Sequence, residues 1–396
     1  MSLASKHRGT VTPDRRTLLA LFSLAFGLRI LFAAVFGGNP GVVPVSDTYD
    51  YQIAARMAHD LSWVTTPFSP KAPGYLMLLA AAFSIFGVSW WVAVGLNALL
   101  GGLTTFFLYR IGEKRIGPRA GLVAGIWLAL TVHQVMFASF AMRDITVAFL
   151  FTWFVHALVK PFWRMRAALW LAFLYTLLIM TEPFFLVLLP LLLLYLAWFA
   201  TGHRVLSLQY VFLFAAFFLF LNIPWTVRNY AVYGQFTPVS IEAERFTGPV
   251  TRLARSAVPS QNVEVPPSAV WIQPSFAHNT VEFWRAMRLR DAPTDPAHGI
   301  DAEPAWSPRH NLISLLTYGV LLPFMVIGAV FALRNKHRTA LILTGAIAGY
   351  GLFRGFMTGD DRFRLTIEPL IILLAIYGMR ELLKVRSTHG PDPSPD

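Results

Sequence analysis

Asp47 and Asp50 stand three residues apart in the stretch Ser46-Asp47-Thr48-Tyr49-Asp50-Tyr51. The stretch follows the first long apolar segment, Leu18 to Phe36, after a short Gly/Pro-rich turn. Two carboxylates and two tyrosines therefore fall where the chain has just left a membrane. A carboxylate there can act as a general base toward a hydroxyl. It can also simply cap a helix over 49–58, with Ser46 or Asp47 as the N-cap.

Cations accompany the carboxylates. Lys71, Arg143, Arg228, Arg354, Arg362 and Arg364 all fall at the ends of apolar segments. Arg forks suit phosphate or pyrophosphate, and a lipid-linked phosphate would lie at that depth. Helix-end snorkelling is the plain alternative. Asp144 and Glu182 flank apolar segments on the same side, and His133 closes a third. Arg29 sits inside the first segment, where an ionisable residue is costly and faces the protein interior. It is expected either to pair with an acid of the following loop or to snorkel to the headgroups. No spaced His/Asp cluster forms a metal motif, and no Walker loop, dinucleotide fingerprint or G-x-S-x-G elbow is present.

These side chains need a scaffold, and composition says which. The hydrophobic fraction is 56%, the charged fraction 14%, and mean hydropathy +0.54. Soluble domains carry about a quarter charged residues, so this is a polytopic membrane protein. Cysteine is absent, which excludes disulfides, thiolate metal sites and a Cys nucleophile. The net charge of +12 comes without a basic stripe on a matching fold, so nucleic acid is not a partner.

Segments of about 20 apolar residues can span a bilayer. They lie near 17–36, 89–109, 119–138, 143–160, 167–181, 183–200, 206–225, 311–333, 338–353 and 365–384, about ten spans in all. The first exceeds a signal-peptide core and is read as a retained helix. The apolar stretch 73–87 is too short and is read as interfacial or re-entrant. With the N-terminus in the cytoplasm, the connections 110–119, 160–166, 203–204 and 334–338 and the tail from 384 are all short and basic, as the positive-inside rule requires. Loop 37–88, the turns at 138–144 and 181–183, segment 226–310 and turn 354–364 then face outward. Within 226–310, Thr280–Arg290 reads as a short amphipathic helix on the membrane surface. The cytoplasmic tails are expected at 1–16 and 385–396, with 17–384 as one transmembrane domain that includes outer loop 37–88 and outer segment 226–310.

Several segments resemble the GT-C glycosyltransferases, in particular bacterial relatives of the dolichyl-phosphate-mannose protein mannosyltransferases and the aminoarabinose lipid A transferases. Asp47-x-x-x-Tyr51-x-x-x-Ala55 is similar to their first-loop pattern. Lys71-Ala72-Pro73-Gly74-Tyr75 resembles their Pro-Gly-Tyr segment, and Met142-Arg143-Asp144 falls where they carry an acid at the outer start of a span. Asn222-Ile223-Pro224-Trp225-Thr226-Val227-Arg228-Asn229-Tyr230 matches their Pro-Trp-x-x-Arg-Asn-Tyr. Asp361-Arg362-Phe363-Arg364 with Pro369 resembles the last outer turn. Two departures are Thr48, where several relatives have a second acid, and a short segment 240–310 in place of a large outer domain.

The resemblance implies a GT-C-like helical bundle in the inner (cytoplasmic) membrane. It implies interfacial helices in the first outer loop and an active site on the periplasmic face. It implies a polyprenyl-phosphate sugar donor and a glycan, lipid or protein acceptor hydroxyl. Asp47 would be the base. Arg228, Arg362, Arg364, Arg143 and Lys71 would face the donor phosphate. Tyr51, Asp50, Asp144, Glu182, Arg29 and Tyr230 would support them. A divalent cation would find Asp47, Asp144 and Glu182 as ligands, and apolar grooves between spans would hold the prenyl tail. Two other readings stay open: a flippase or transporter of lipid-linked glycans, and a non-catalytic partner of a glycan-assembly complex. Transporters keep charges near the midplane and often show two related halves. Here the charges gather at one surface and no repeat is visible.

Overall fold

The computed structural model describes residues 15–36, 45–65, 71–160, 165–199, 204–234, 236–240, 280–281, 283–285, 312–357 and 361–388. Thirteen helices are described there: α1 (Arg15–Phe36), α2 (Val45–His59), α3 (Pro73–Phe86), α4 (Trp90–Arg115), α5 (Pro118–Leu130), α6 (Val132–Phe137), α7 (Asp144–Leu158), α8 (Arg166–Thr181), α9 (Leu189–Phe199), α10 (Arg204–Tyr233), α11 (Leu321–Arg334), α12 (Arg338–Met357) and α13 (Glu368–Thr388). No strand occurs among the described residues. This is the all-α architecture of a polytopic membrane protein. Helices at Arg15–Phe36, Trp90–Arg115, Val205–Tyr233 and Leu312–Arg334 are long and apolar enough to cross a membrane by length and composition. Of the other expected spans, 143–160 and 167–181 form helices of 15 and 16 residues, 119–138 and 183–200 are broken, and 338–353 and 365–384 correspond to helices of 20 and 21 residues.

The breaks have local causes. The expected span 119–138 divides at Thr131, whose backbone is extended and whose hydroxyl donates back to the Trp127 carbonyl. The expected span 183–200 opens with a 3-10 turn, Pro183–Leu188, before α9 begins. A π-helical turn, Leu315–Gly319, leads into α11. In the other direction, the segment expected to end as a span at 225 runs on as helix to Tyr233, with Pro224 inside it. The last turns survive the proline because tertiary bonds hold them. Trp225 Nε1 donates to Val239 O, Thr226 Oγ1 to Pro238 O, and Asn229 Nδ2 to both Thr237 O and Val239 O. Arg228 thus lies on a helix, not in a loop.

With only lipid outside, helices associate by close packing of small residues. A Cβ on Gly378 of α13 would sit 2.2 Å from the Phe324 carbonyl and 2.7 Å from the nitrogen of Gly328 on α11. Gly112 of α4 and Gly121 of α5 meet the same way, at 2.7 Å. At one end of the bundle, called here the upper end, α2 and α3 pair as a hairpin. Ile53, Ala54 and Met57 of α2 pack with Tyr75, Leu76, Leu79 and Phe83 of α3, and Ala93 and Ala141 complete the cluster. The short helix expected at 73–87 is therefore α3, laid on the bundle by its buried face.

Two expectations change inside this frame. The helix expected to start at Tyr49 starts at Val45, so Ser46 and Asp47 lie in its first turn and neither is the N-cap. Acids in a first turn favour the helix dipole. The surface helix expected at 280–290 lies mostly outside the described residues. Where it is described, Phe283 is fully buried and Trp284 fills the space left by Gly351 on α12. These rings pack into the bundle because both are large and apolar and a glycine leaves room for them.

Candidate active site at the upper end of the bundle

The first turn of α7 and the C-terminus of α8 bring acids to the upper end. Asp144 opens α7 and Glu182 follows α8, each at most 5% exposed. Buried carboxylates must be paired, and both are. Arg362 donates to Asp144 Oδ2 from Nε at 3.1 Å and from Nη2 at 2.7 Å. Glu182 lies between Arg143 and Arg354, each at 3.3 Å on a different oxygen. The Arg354 guanidinium is also sandwiched by Phe184 and Phe363, with centroids at 4.2 and 3.8 Å, and its Nε donates to the Tyr350 hydroxyl.

A third acid extends the cluster. Glu368, at the start of α13, meets His133 Nδ1 at 2.9 Å and Gln134 Nε2 at 3.0 Å. Arg364 lies 3.7 Å from the same carboxylate, donates to the Arg285 carbonyl, and covers the Tyr318 ring at 3.6 Å. Four guanidiniums thus pair with three carboxylates on α7, α8, α12, α13 and the 3-10 turn Asp361–Thr366. Arg354 and Arg364 are 3% exposed at the side chain, and Arg143 and Arg362 are 16% and 28%. The last two are the cations a ligand could reach.

The α2–α3 hairpin lies on this cluster. Gly74, in the Lys71-Ala72-Pro73-Gly74-Tyr75 stretch, sits where a Cβ would meet Thr181 Oγ1 at 2.4 Å and the Met180 backbone at 2.8 Å. That contact sets α3 one residue from Glu182. Lys71 bonds Asp50 of α2 at 2.7 Å and is 30% exposed. Tyr51 stacks edge-on against Phe83 at 5.0 Å, and partial burial raises its pKa, so it remains a hydroxyl donor. The backbone of Asp47 lies one turn before Asp50 and Tyr51 on α2; its side chain lies outside the described residues.

Arg228 reaches the hairpin from the other side. Its Nε donates to Val64 O at 3.2 Å, its Nη2 to Trp63 O, and its Nη1 to Asn229 Oδ1 at 3.0 Å. Trp225 and Tyr233 face the guanidinium at 5.1 and 5.5 Å. Tyr230 is half exposed on the same helix end. The Pro-Trp-x-x-Arg-Asn-Tyr stretch therefore binds two backbones: 63–64 through its arginine, 237–239 through its tryptophan and asparagine.

Arg29 departs from both expectations. It is fully buried, and its Nη1 donates to the Ala25 carbonyl, one turn away from the upper end. It neither pairs with a described acid nor reaches outward. The cause is steric: Cβ bonds tilt toward a helix N-terminus, and Gly101 of α4 leaves the notch that Arg29 fills, at 2.3 Å from an added Cβ.

Sequence reasoning passed over Glu368 and Gln134 and left Arg354 off the site. An acid at the head of an apolar span was the available signal for Glu368. As for a metal ion, no group of three His, Asp or Glu residues is arranged for one among the described residues. Both Glu182 oxygens face arginines, so it does not fit as a ligand, whereas Arg362 uses only Oδ2 of Asp144.

The arrangement of helices that carries this cluster is similar to that of several solved structures. The apo oligosaccharyltransferase of Archaeoglobus fulgidus superposes with a TM-score of 0.60 at 14% identity, covering 94% of this chain and 51% of that one. ArnT from Cupriavidus metallidurans superposes with a TM-score of 0.59 at 14% identity in the apo state, covering 93% and 60%. The same ArnT bound to undecaprenyl phosphate gives 0.57 at 13%, covering 92% and 59%. The chain has the GT-C fold. It spans only half to three-fifths of the length of these proteins. Residues 70–227 match the family model of dolichyl-phosphate-mannose-protein mannosyltransferases. No curated protein sequence matches. The family match covers α3 through most of α10, including Lys71, Gly74, Arg143, Asp144 and Glu182, and ends one residue before Arg228.

Proposed function

We propose that this chain is a membrane glycosyltransferase that moves a sugar from a polyprenyl-phosphate donor to an acceptor hydroxyl at the outer face of the cytoplasmic membrane. The observation that carries this reading is the buried Arg–carboxylate cluster beneath the hairpin that bears Asp47, in a GT-C fold. The ArnT neighbour was solved with undecaprenyl phosphate, which supports a polyprenyl phosphate as the ligand class.

The chemistry asks for two things. A base must take the acceptor proton as the hydroxyl attacks the anomeric carbon, and Asp47 at the head of α2 is assigned that role. Negative charge grows on the departing lipid phosphate and must be met. Lys71, Arg143, Arg228 and Arg362 are the reachable cations around the hairpin, and Arg364 backs them from below. A contact that strengthens as charge develops contributes about 2.7–4 kcal/mol. Asp144, Glu182 and Asp50 keep the cations oriented, and Tyr51 and Tyr230 line the hairpin side. A divalent cation, where one is used, would be held by Asp47 and Asp144 and would neutralise phosphate charge. The prenyl tail is assigned to an apolar crevice between helices. A crevice of about 310 Å³ is lined by Val123, Ile126, Trp127, Leu130, Leu316 and Thr317, and the residue after Thr317 is Tyr318, whose ring lies under Arg364.

The test is a mass-spectrometric profile of glycans and lipid-linked sugars. It compares the source cell, a deletion strain, and the deletion restored with wild type or Asp47→Asn at matched level. One glycan mass is expected to vanish on deletion, its polyprenyl-phosphate donor to accumulate, and Asp47→Asn to leave both defects in place. Full restoration by Asp47→Asn would remove the base assignment and bring the transporter or partner reading forward.

A further inference from the structure

Asn97 belongs to no motif, yet it is the buried polar residue of α4 that reaches outside its own helix. Its side chain is fully buried, and Nδ2 donates to the Phe140 carbonyl at 2.6 Å. Thr104 and Thr105 on the same helix bond only to Leu100 and Gly101, one turn back, which any helix supplies. A primary amide inside an apolar span is costly unless bonded, and polar side chains at such depth face the protein for a reason.

The bond lands on a structure that needs it. The Phe140 carbonyl also accepts the Met142 N–H at 2.8 Å, closing a three-residue turn. Both lone pairs of that oxygen are then in use. Such a turn has one internal bond and no ladder to extend it. It is held from outside: Asn97 grips it from within the bundle, and Ala141, 2% exposed, is packed into the α2–α3 cluster. The next residues are Arg143 and Asp144, which meet Glu182 and Arg362.

We infer that Asn97 is a positioning residue: its amide sets the 140–142 turn and thereby the placement of Arg143 and Asp144 in the site. The catalytic half of this statement rests on the glycosyltransferase reading. The anchoring half does not.

The experiment uses the full chain in detergent or nanodiscs. Amide exchange over 138–144, affinity for undecaprenyl phosphate, and sugar transfer are measured for wild type, Asn97→Leu, Asn97→His and Thr104→Val. Asn97→Leu is near in volume and lacks the donor. It is expected to speed exchange over 138–144 and to lower turnover about 10-fold or more, as small misplacements of reacting groups do. Asn97→His, with a ring N–H near the amide position, is expected to restore part of both. Thr104→Val is expected to change neither. Wild-type exchange over 138–144 with Asn97→Leu, or a turnover loss that Thr104→Val reproduces at equal thermal stability, would overturn the inference. A wild-type Met142 amide that exchanges as fast as an exposed loop would do so without any variant. If wild type neither binds undecaprenyl phosphate nor transfers sugar, the glycosyltransferase reading fails, and the exchange data still decide the anchoring.

Discussion

Glu182 faces two arginines in a space almost closed to solvent, and the cost of breaking that arrangement is a prediction at the scale of one residue. Removing one member of a buried ion pair leaves an unpaired charge, at a cost of about 3–5 kcal/mol. Arg354→Met should therefore lower the thermal midpoint sharply. Arg362→Gln should lower it less, since Arg362 is 28% exposed, while reducing transfer. Detergent-solubilised thermal unfolding reads the first, and turnover the second. Arg228 gives a sharper contrast. Each of its nitrogens meets a different oxygen, a geometry that an ammonium cannot copy. Arg228→Lys keeps the charge and should still loosen the hairpin, seen as faster amide exchange over 61–65. Exchange equal to wild type would mean that charge alone matters there. The sequence made the charged residues visible because cations on the side expected to face outward violate the usual bias. It could not show their pairing: Asp144 and Arg362 are 218 positions apart, and no periodicity encodes such a contact. Arg29 was legible as interior but not in direction, since its direction depends on a glycine on another helix.

Among the elements, glycines decide which helices touch. Gly378→Ala would put a methyl into the Phe324 carbonyl, and overpacking of this kind costs about 1–3 kcal/mol. Gly95→Ala, on α4 with nothing within 4 Å of its added Cβ, should be neutral or slightly stabilising, because alanine is the better helix former. A thermal-shift comparison of the two variants checks both. Most helix positions were readable from hydropathy. The breaks at Thr131 and over 183–188 and the π turn at 315–319 were not, because an apolar run has the same composition whether its backbone is continuous or broken. The extension of α10 past Pro224 was hidden for the converse reason: proline signals an end, and only bonds to 237–239 override it.

At the scale of the whole molecule, orientation and activity are both open to test. Orientation rests on the charge bias of short connections, and the lack of native cysteine makes it easy to test. Val88→Cys, just beyond α3, should react with a membrane-impermeant maleimide in intact or outer-permeabilised cells. Lys336→Cys, in the turn between α11 and α12, should react only after the inner membrane is opened. The reverse pattern would turn the site toward the cytoplasm. Membrane class was legible from composition alone, and the fold from five short motifs in order. The sugar and the acceptor were not, because they are chosen by contacts that no motif in this chain describes.

The central claim is glycosyl transfer from a polyprenyl phosphate. The most direct measurement is release of free undecaprenyl phosphate from a panel of undecaprenyl-phosphate sugars by the purified chain, with a membrane extract as the source of acceptor. The account predicts release from one member of the panel, dependent on the extract and lost in Asp47→Asn. Tight binding of the same lipids with no release from any of them would contradict it.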